Sequence, residues 1–401
     1  MPAVADTPLT LQECEQRFVQ SNLLLLAEKY SVAGGKALAI QASIWDLPQL
    51  SFDVNAYNPS TQKLINVGPQ GQTSAAVQQL LYLGGKKSKE YDLAMSDVSV
   101  REARFEQLLR DLRYKLRVTF YNAYFLNKKI NFLVQRVQQV DSLAAAYSAQ
   151  TDAGNISLRE SVRLQALALS IRNDLLSQRD AYRDVQNDLR TLIQADDAVV
   201  PVLSEDYVNR RVDTTKSTDA PALLQKLYSG NAEIIVLQRQ LQSDSLNLTW
   251  QRSLAVPDLT VGASYDQRGG AFNNQINVGV SLPLPLWNKN RGNIELAGAN
   301  ISQTTALLES KKAELKNQLR GALALYESQT ISYAAGKRLH RDLDTVFRGV
   351  LENFARRNLS LIDFTDFIES YVQSVISIEE AKTKLLTTEE TINYLTGEDV
   401  F

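Results

Sequence analysis

The sequence has very few of the side chains on which catalysis and metal binding usually depend. Its 401 residues include one cysteine and one histidine. A single cysteine, Cys14, excludes an intramolecular disulfide and a cysteine-based zinc site, and His340 alone leaves little scope for imidazole chemistry. No Gly-rich phosphate loop and no catalytic constellation appears. The sequence therefore predicts no enzyme, no cofactor and no metal site.

Strong net charge and long hydrophobic runs are also missing. The net charge of −2 excludes a strong general attraction to nucleic acid or anionic lipid. The longest all-leucine run is Leu23–Leu26, far short of the ~20 apolar residues of a spanning helix. Hydropathy alone therefore indicates a soluble protein. Membrane β-strands, however, need only ~9–11 alternating residues, a signal that hydropathy averages away.

The first residues, Met1–Val4, contain neither a basic segment nor an apolar segment of a signal peptide. Two interpretations follow: a cytoplasmic protein, or a secreted one whose signal peptide has been replaced by Met. The patterns described below favour the second. Cys14 lies inside the first helical stretch, where we expect a small buried side chain rather than a site of lipid acylation.

Proline and glycine are scarce, and long segments contain neither. Lys86–Gln150 is one such segment, with apolar residues at three-and-four spacing. At ~1.5 Å per residue it predicts a helix on the order of 100 Å long. Two shorter helices laid end to end would run beside each long one. The other predicted helices are Asn22–Trp45, Ser157–Gln194, Asn231–Leu254, Arg291–Arg356 and Ser360–Gly397.

The chain also repeats itself. Asn22 recurs as Asn231, and Pro48 recurs as Pro257 at the same offset. A second constant offset relates Asn155–Leu158 to Asn358–Leu361, and Leu192 to Leu395. Chance likeness between helices is the alternative, but the matches include Pro and Asn, which helix interiors avoid. The sequence predicts two structural repeats, 9–200 and 219–397, each with a helix, two strands, a long helix, a hairpin and a helix.

Two strand pairs are predicted, at about 48–83 and 257–286. Within them, residues such as Leu50, Phe52 and Val54 alternate with small polar residues, a period of two. Two interpretations remain open on periodicity. The strands form a small soluble sheet under helices, or their apolar face meets lipid and their polar face a lumen. Four strands cannot close a barrel and open edges do not survive in a bilayer, so the second requires oligomerisation.

One motif resembles a segment of a known protein family. The run Val278–Ile294, with Pro283–Leu286 followed by an Asn/Arg/Gly turn, resembles the strand-to-helix corner of TolC-family outer membrane factors. It is most similar to those that serve heavy-metal efflux pumps. The opening Pro8–Glu13, the step at Asn22 and the closing Tyr394–Gly397 also resemble that family. The resemblance covers nearly the whole chain.

The resemblance implies a mostly α-helical protein with a membrane β-barrel portion. It implies a homotrimeric channel-tunnel, with a 12-stranded β-barrel in the outer membrane, four strands per chain, on a 12-helix α-barrel in the periplasm. The function implied is a passive exit duct for a tripartite efflux system. Its partners would be a periplasmic adaptor (membrane fusion) protein, an inner-membrane pump and outer-membrane lipid, with no nucleic acid. The cargo stays open between metal, drug and protein, and the alternative is a soluble helical coiled-coil scaffold with a small sheet.

Two hairpin tips are the predicted adaptor-docking surface, because they form the exposed ends of the long helices. The first tip has a Gly-Asn turn. The second has Arg-Arg-Asn where the family often has Gly. The residues are Gly154, Asn155 and Ser157 in the first tip and Arg356, Arg357, Asn358 and Ser360 in the second.

Asp363 and Asp366 follow the second tip and share one helix face. One interpretation is that acids near a helix N-terminus offset the macrodipole, which Asp363 could do alone. The other rests on the resemblance: this segment is similar to the one that carries the aspartate ring at the periplasmic aperture of TolC. It implies that both aspartates form a periplasmic gate.

Overall fold

The computed structural model describes residues 7–60, 62–67, 71–213, 219–267, 273–356 and 358–401. The chain divides into two compact units, and each unit contains parts of both predicted repeats. One, called here the helical unit, comprises Met1–Leu26, Glu106–Ile234 and Lys311–Phe401. The other, called here the sheet unit, comprises Ala27–Phe105 and Ile235–Ser310.

Six helices occupy the segments in which long helices were predicted, so these predictions are confirmed with ends shifted by at most two residues. The two long helices are α3 (Lys86–Asp152) and α8 (Arg291–Ala355). The four shorter ones are α2 (Leu23–Ser43), α4 (Leu158–Ile193), α7 (Ala232–Leu254) and α9 (Leu361–Thr396). Across the described residues, none of the helices combines the length and apolarity needed to span a bilayer.

Several short elements of the helical unit were given no bounds by the sequence analysis, and of these only the helix around Cys14 was expected. Strand β1 (Thr7–Thr10) pairs in parallel with β6 (Val199–Val202). Helix α1 (Leu11–Ser21) follows β1 and is separated from α2 at Asn22. Two further helices, α5 (Glu205–Asp213) and α6 (Ala220–Gly230), lie between β6 and α7.

The sheet unit contains a four-stranded antiparallel sheet in the order β2-β5-β7-β8. The strands are β2 (Gln49–Val54), β5 (Thr73–Leu81), β7 (Leu259–Gln267) and β8 (Gln275–Ser281). β3 (Tyr57–Asn58) and β4 (Lys63–Leu64) form a small ladder between β2 and β5. The predicted strand near Ala75–Leu83 begins and ends two residues earlier than expected. In the described sheet, β2 and β8 are edge strands.

The register separates two chemically different faces of this sheet. One row across the strands reads Phe52, Ala75, Tyr265 and Ile276. The adjacent row, on the opposite face, reads Asp53, Ser74, Asp266 and Gln275. Phe52 is 70% exposed and Ile276 76% exposed. Apolar side chains on one face of an antiparallel sheet normally pack against a core. Here the apolar side chains of the edge strands β2 and β8 are exposed instead.

The helical unit has an apolar core that contains Cys14, Phe18, Phe120, Tyr121 and Phe125, all fully buried. Next to this core lie buried ion pairs between helices. Arg211 of α5 contacts Glu389 of α9 at 2.6 Å. Arg117 of α3 contacts Glu390 of α9 at 3.1 Å and Glu15 of α1 at 2.6 Å. Because unpaired buried charges are costly, these contacts hold α1 and α5 against the longer helices.

Two buried asparagines begin the helices that follow α1 and α6. The side chain of Asn22 accepts hydrogen bonds from the amides of Leu24 and Leu25 and donates to the carbonyl of Leu192 at 3.0 Å. Asn231 accepts from the next helix in the same way and donates to the carbonyl of Leu395 at 3.1 Å. Each asparagine therefore caps one helix at its start and holds the end of another.

Candidate functional site

The first hairpin tip joins α3 to α4 through a glycine turn. Gly154 has φ +77°, a left-handed conformation that favours glycine. The amide of Asn155 donates to the carbonyl of Gln150 at 2.9 Å, and its side chain donates to the Gln150 side chain at 2.8 Å. Ser157 caps α4 and forms a reciprocal capping box with Glu160. The Gly-Asn signal in the sequence thus predicted this turn correctly.

The second tip joins α8 to α9 without a glycine. α8 ends at Ala355, and the amide of Asn358 donates to the carbonyl of Asn353 at 2.8 Å. Ser360 is the N-cap of α9. Arg356 lies in the turn after α8, and its amide donates to the carbonyl of Glu352. The predicted docking residue Arg357 lies outside the described residues.

Both tips flank one cavity of about 1490 Å³ within the helical unit. Asn155 and Ile156 line it from the first tip, and Leu359 and Ser360 line it from the second. Polar residues of α3 form one wall, among them Gln135, Gln139 and Gln150. The structure therefore brings the two predicted docking tips together at one end of the helical unit.

Stacked aromatic rings lie below the second tip. The Phe354 and Phe364 rings stack with centroids 4.0 Å apart, and Phe347 and Tyr371 stack at 4.4 Å. The guanidinium of Arg136 lies 4.5 Å from the Phe347 ring centroid, a cation–π contact. These contacts join α3, α8 and α9 and hold the start of α9 in place.

Asp363 and Asp366 are both exposed and have different partners. Asp363 belongs to the cap of α9: its amide donates to the Ser360 hydroxyl at 3.2 Å, and that hydroxyl donates to the Asp363 carboxylate at 2.7 Å. Asp366 accepts from the guanidinium of Arg163 on α4 at 2.6 Å. Its side chain remains 63% exposed. The helix-end role considered for Asp363 is therefore present, and it does not prevent the carboxylate from also facing solvent.

Arg163 was missed by the sequence analysis. Besides contacting Asp366, it donates through Nε to the Thr365 hydroxyl at 2.8 Å, so it ties α4 to the first turns of α9. A signal for it did exist. Arg163 and Asp366 are related by the same offset that relates Asn155 to Asn358, so opposite charges occupy equivalent positions of the predicted repeats. Across the described ranges, this region included, His, Cys, Asp and Glu form no group suited to holding a metal ion.

Comparison with known sequences gives two distant relatives from Cupriavidus metallidurans, and no family model matches the chain. The cobalt-zinc-cadmium resistance protein CzcC is 24% identical over 359 residues, covering 84% of this chain and 82% of CzcC. The nickel and cobalt resistance protein CnrC is 23% identical over 305 residues, covering 75% of this chain and 69% of CnrC.

Comparison with solved structures gives matches over nearly the whole chain. CusC, described in terms of transmembrane channel formation, superposes with a TM-score of 0.76 at 14% identity, covering 97% of this chain and 92% of CusC. The Campylobacter jejuni CmeC outer membrane channel gives 0.78 at 13% identity, with 98% and 87% coverage. The Vibrio cholerae outer membrane protein VceC gives 0.74 at 13% identity, with 97% and 96% coverage.

These identities are low, but the fold agrees from end to end and the sequence relatives span most of both chains. The helices, the four-stranded sheet and the corner at Pro283–Leu286 all occur in the order that the resemblance required. The chain therefore has the TolC-type outer-membrane channel fold and is distantly related in sequence to CzcC and CnrC.

Proposed function

We propose that this chain is the outer-membrane channel of an efflux system, a passive, non-enzymatic duct from the periplasm to the exterior. The observation that carries this proposal is the sheet. Its apolar face is exposed at Leu50, Phe52, Ile276 and Val278, and both of its edges lack a partner strand in the described chain. In a soluble monomer such a surface favours aggregation. In lipid it is the required outer face of a closed barrel.

Closure requires further copies of the chain. β2 and β8 run antiparallel to one another across the sheet, so β8 of one copy can pair with β2 of the next. A homotrimer with a 12-stranded barrel and a 12-helix barrel is the closed assembly we propose. The sheet would lie in the outer membrane and the helical part in the periplasm. A periplasmic adaptor protein and an inner-membrane pump would complete the tripartite system in which this family works.

The cargo we propose is a divalent transition-metal ion, because the names of CzcC and CnrC specify resistance to cobalt, zinc, cadmium and nickel. The test is deletion of the gene, with complementation, scored against metals and drugs in parallel. We expect greater sensitivity to metals and restoration by the wild-type gene. Sensitivity to drugs alone would show that the exported substrate is a drug rather than a metal ion. A detergent-free, monomeric native protein would instead support the soluble scaffold.

The gate at Asp363 and Asp366 is part of this proposal. Both carboxylates are exposed at the start of α9, near the tips. In a symmetric trimer the residues of each chain meet their copies around the axis. A ring of carboxylates attracts cations and repels anions. We expect Arg163 to weaken this field, because its guanidinium contacts Asp366 and neutralises part of its charge.

The docking surface is the pair of tips. Gly154, Asn155, Asn358 and Ser360 lie in the two turns, and two of them, Asn155 and Ser360, line the common cavity. The adaptor contacts proposed for them rest on their position at the ends of the α3–α4 and α8–α9 hairpins. The basic residues Arg356 and Arg357 suit an acidic partner surface.

The repeat boundaries, 9–200 and 219–397, also belong to the proposal. The contacts of Asn22 with Leu192 and of Asn231 with Leu395 support it, since each pair is related to the other by the two offsets found in the sequence. Both contacts join the first half-length helix of a repeat to the last helix of the same repeat. This is the contact expected for two short helices stacked end to end beside a long one.

A further inference from the structure

We propose that the corner Leu282–Trp287, outside the strands, inserts into the head-group region of the membrane leaflet nearest the helices. Here it is called the corner segment. This inference rests on the proposed function, since it assumes that the sheet lies in a bilayer. The partner is a phospholipid surface, and the corner segment would fix the depth at which the sheet sits.

Exposure of the corner segment is extensive. Trp287 is 91% exposed, the highest value among the large apolar side chains of the described chain, and Leu284 and Leu286 are 68% and 63% exposed. An indole and two leucines in water are unfavourable, at about 25 cal/mol for each Å² of apolar surface. They therefore indicate a surface that something covers.

The corner segment is held in place by a defined turn. Asn290 has φ +57°, and its side chain donates to the carbonyl and the side-chain oxygen of Gln251 at 2.8 and 2.9 Å. The amide of Leu286 donates to the carbonyl of Leu284 at 2.8 Å. The Asn290 bonds tie the turn that follows the corner segment to α7, and the Leu286–Leu284 bond closes a tight turn just before Trp287.

Lipid is the occupant favoured by the order of residues. Apolar residues alternate through β8 at Ile276, Val278 and Val280, and the same spacing continues at Leu282, Leu284 and Leu286. Trp287 follows, and then come Asn288, Lys289 and the exposed Arg291. The order of apolar residues, then tryptophan, then basic residues matches the layers of a membrane interface. There Trp lies at head-group level, and Lys and Arg reach the lipid phosphates.

A second tryptophan lies at the same level. β2 begins, and β8 ends, at the end of the sheet where β5 leads into α3. Trp45 is half-exposed and precedes β2 there, and its ring centroid lies 5.7 Å from the ring centroid of Tyr82. Each chain thus supplies one tryptophan next to each edge of its sheet. Trp250, by contrast, is partly buried on α7 and serves as an internal control.

Depth-dependent fluorescence quenching tests the proposal. Variants that keep one native tryptophan, with the other two changed to Phe, are reconstituted into vesicles whose phospholipids carry bromine near the head group or near the chain ends. A Phe52→Trp variant without native tryptophans reports on the outer face of the sheet. We expect Trp287 to lose emission with shallow bromine more than with deep bromine, Trp250 to lose none, and the Phe52→Trp indole to be quenched by lipid.

Two results would overturn the proposal while leaving the proposed function intact. In the first, the Phe52→Trp indole is quenched but Trp287 is quenched no more than Trp250. In the second, Trp287 emission is blue-shifted yet unquenched, and equally so in detergent, which would place the indole against a second copy of the chain. Absence of quenching at both Trp287 and the Phe52→Trp indole would contradict the proposed function itself.

Discussion

At the scale of single residues, burial suppresses ionisation of the thiol of the only cysteine in the sequence. Cys14 is fully buried on α1 beside Phe18, and burial raises the pKa of its thiol to about 12. The expectation of a small buried side chain at this position is confirmed. A thiol in the unfolded chain ionises near 8.5. Because only the unfolded chain ionises above that pH, alkaline conditions favour unfolding.

The raised pKa of the Cys14 thiol predicts slow chemical labelling of the folded protein. Since the thiolate is the reactive form, we expect the folded protein at pH 8 to react at least about 10³-fold more slowly than the protein in guanidinium chloride. A time course with a chromogenic disulfide reagent measures both rates. A Cys14→Ala, Asp184→Cys variant, with its thiol on the exposed face of α4, is the control and should react rapidly when folded. Fast labelling of folded wild type would contradict the burial of Cys14.

At the scale of elements, a close backbone approach and the side chain of Arg110 hold the end of α9. Gly397 has φ +74°, and the carbonyl oxygen of Gly230 occupies the space that a Cβ would need. Arg110 donates to that carbonyl at 2.7 Å and to the carbonyl of Gly397 at 3.3 Å. Only glycine meets both the conformational and the steric requirement here.

The Gly397→Ala variant should therefore be destabilised. We expect a loss of at least about 1–2 kcal/mol from the left-handed conformation alone. Gly349→Ala on α8 is the matched control, because a Cβ there meets nothing within 4 Å and alanine favours the helix by roughly 0.5–1 kcal/mol. Thermal unfolding of both variants in detergent gives the comparison. Equal melting temperatures would show that the contact with Gly230 can relax.

The two capping asparagines should behave alike. Asn22→Ala and Asn231→Ala each remove a cap and leave a buried carbonyl without its donor, so we expect each to cost about 1–2 kcal/mol. Asn187→Ala, on the exposed face of α4, is the control and should change little. Thermal unfolding measures all three. A large loss for only one of the two asparagines would argue against equivalent positions in two repeats.

How far the sequence predicted these elements depended on their length and pattern. Long helices such as α3 could be predicted because Pro and Gly are absent and the apolar spacing persists for many turns. β7 and β8 could be predicted from strict alternation. β1 and β6 have four residues each and include proline, so no periodicity develops. α5 (Glu205–Asp213) is short and highly charged, and its position depends on contacts with distant helices, among them the ion pair of Arg211 with Glu389 of α9.

At the scale of the whole molecule, only part of the proposed gate was predicted from the sequence. Asp363 and Asp366 were selected from spacing and resemblance, but Arg163 was missed, because its partner lies on another helix and only the repeat offset relates the two positions. The contact changes the expected electrostatics. The Asp363 carboxylate accepts a hydrogen bond within the cap of α9, whereas the Asp366 carboxylate is paired with Arg163.

Conductance measurements test the gate. In planar bilayers we expect divalent cations added on the periplasmic side to block the channel, and the Asp363→Asn, Asp366→Asn double variant to weaken block at least about tenfold, or roughly 1.4 kcal/mol. Arg163→Gln should strengthen block, because it frees Asp366. Arg172→Gln removes a similar pair, Arg172 with Asp141 at 2.8 Å, and should leave block unchanged. The same effect from both arginine variants would exclude a special role for Arg163.

Docking is tested by charge reversal at the second tip. Arg356→Glu with Arg357→Glu should abolish export while the trimer level in the membrane stays constant, because an acidic partner surface would be repelled. Export is followed as metal resistance, and trimer level by native electrophoresis. Arg252→Glu, in the last turn of α7, is the control for reversing an arginine charge away from the tips. Persistent export in the tip variant would move the docking surface elsewhere.

The parallel pairing of β1 with β6 has a consequence for the order of folding. Thr7 pairs with Val199, so β1 has no partner strand until both helices of the first hairpin have been synthesised and the chain has returned to β1. Contacts between residues so distant in sequence form slowly, because loop closure precedes any gain from pairing. β1 is therefore synthesised long before its partner strand and becomes ordered only after β6 is in place, so its amide protons should report when the first half is complete.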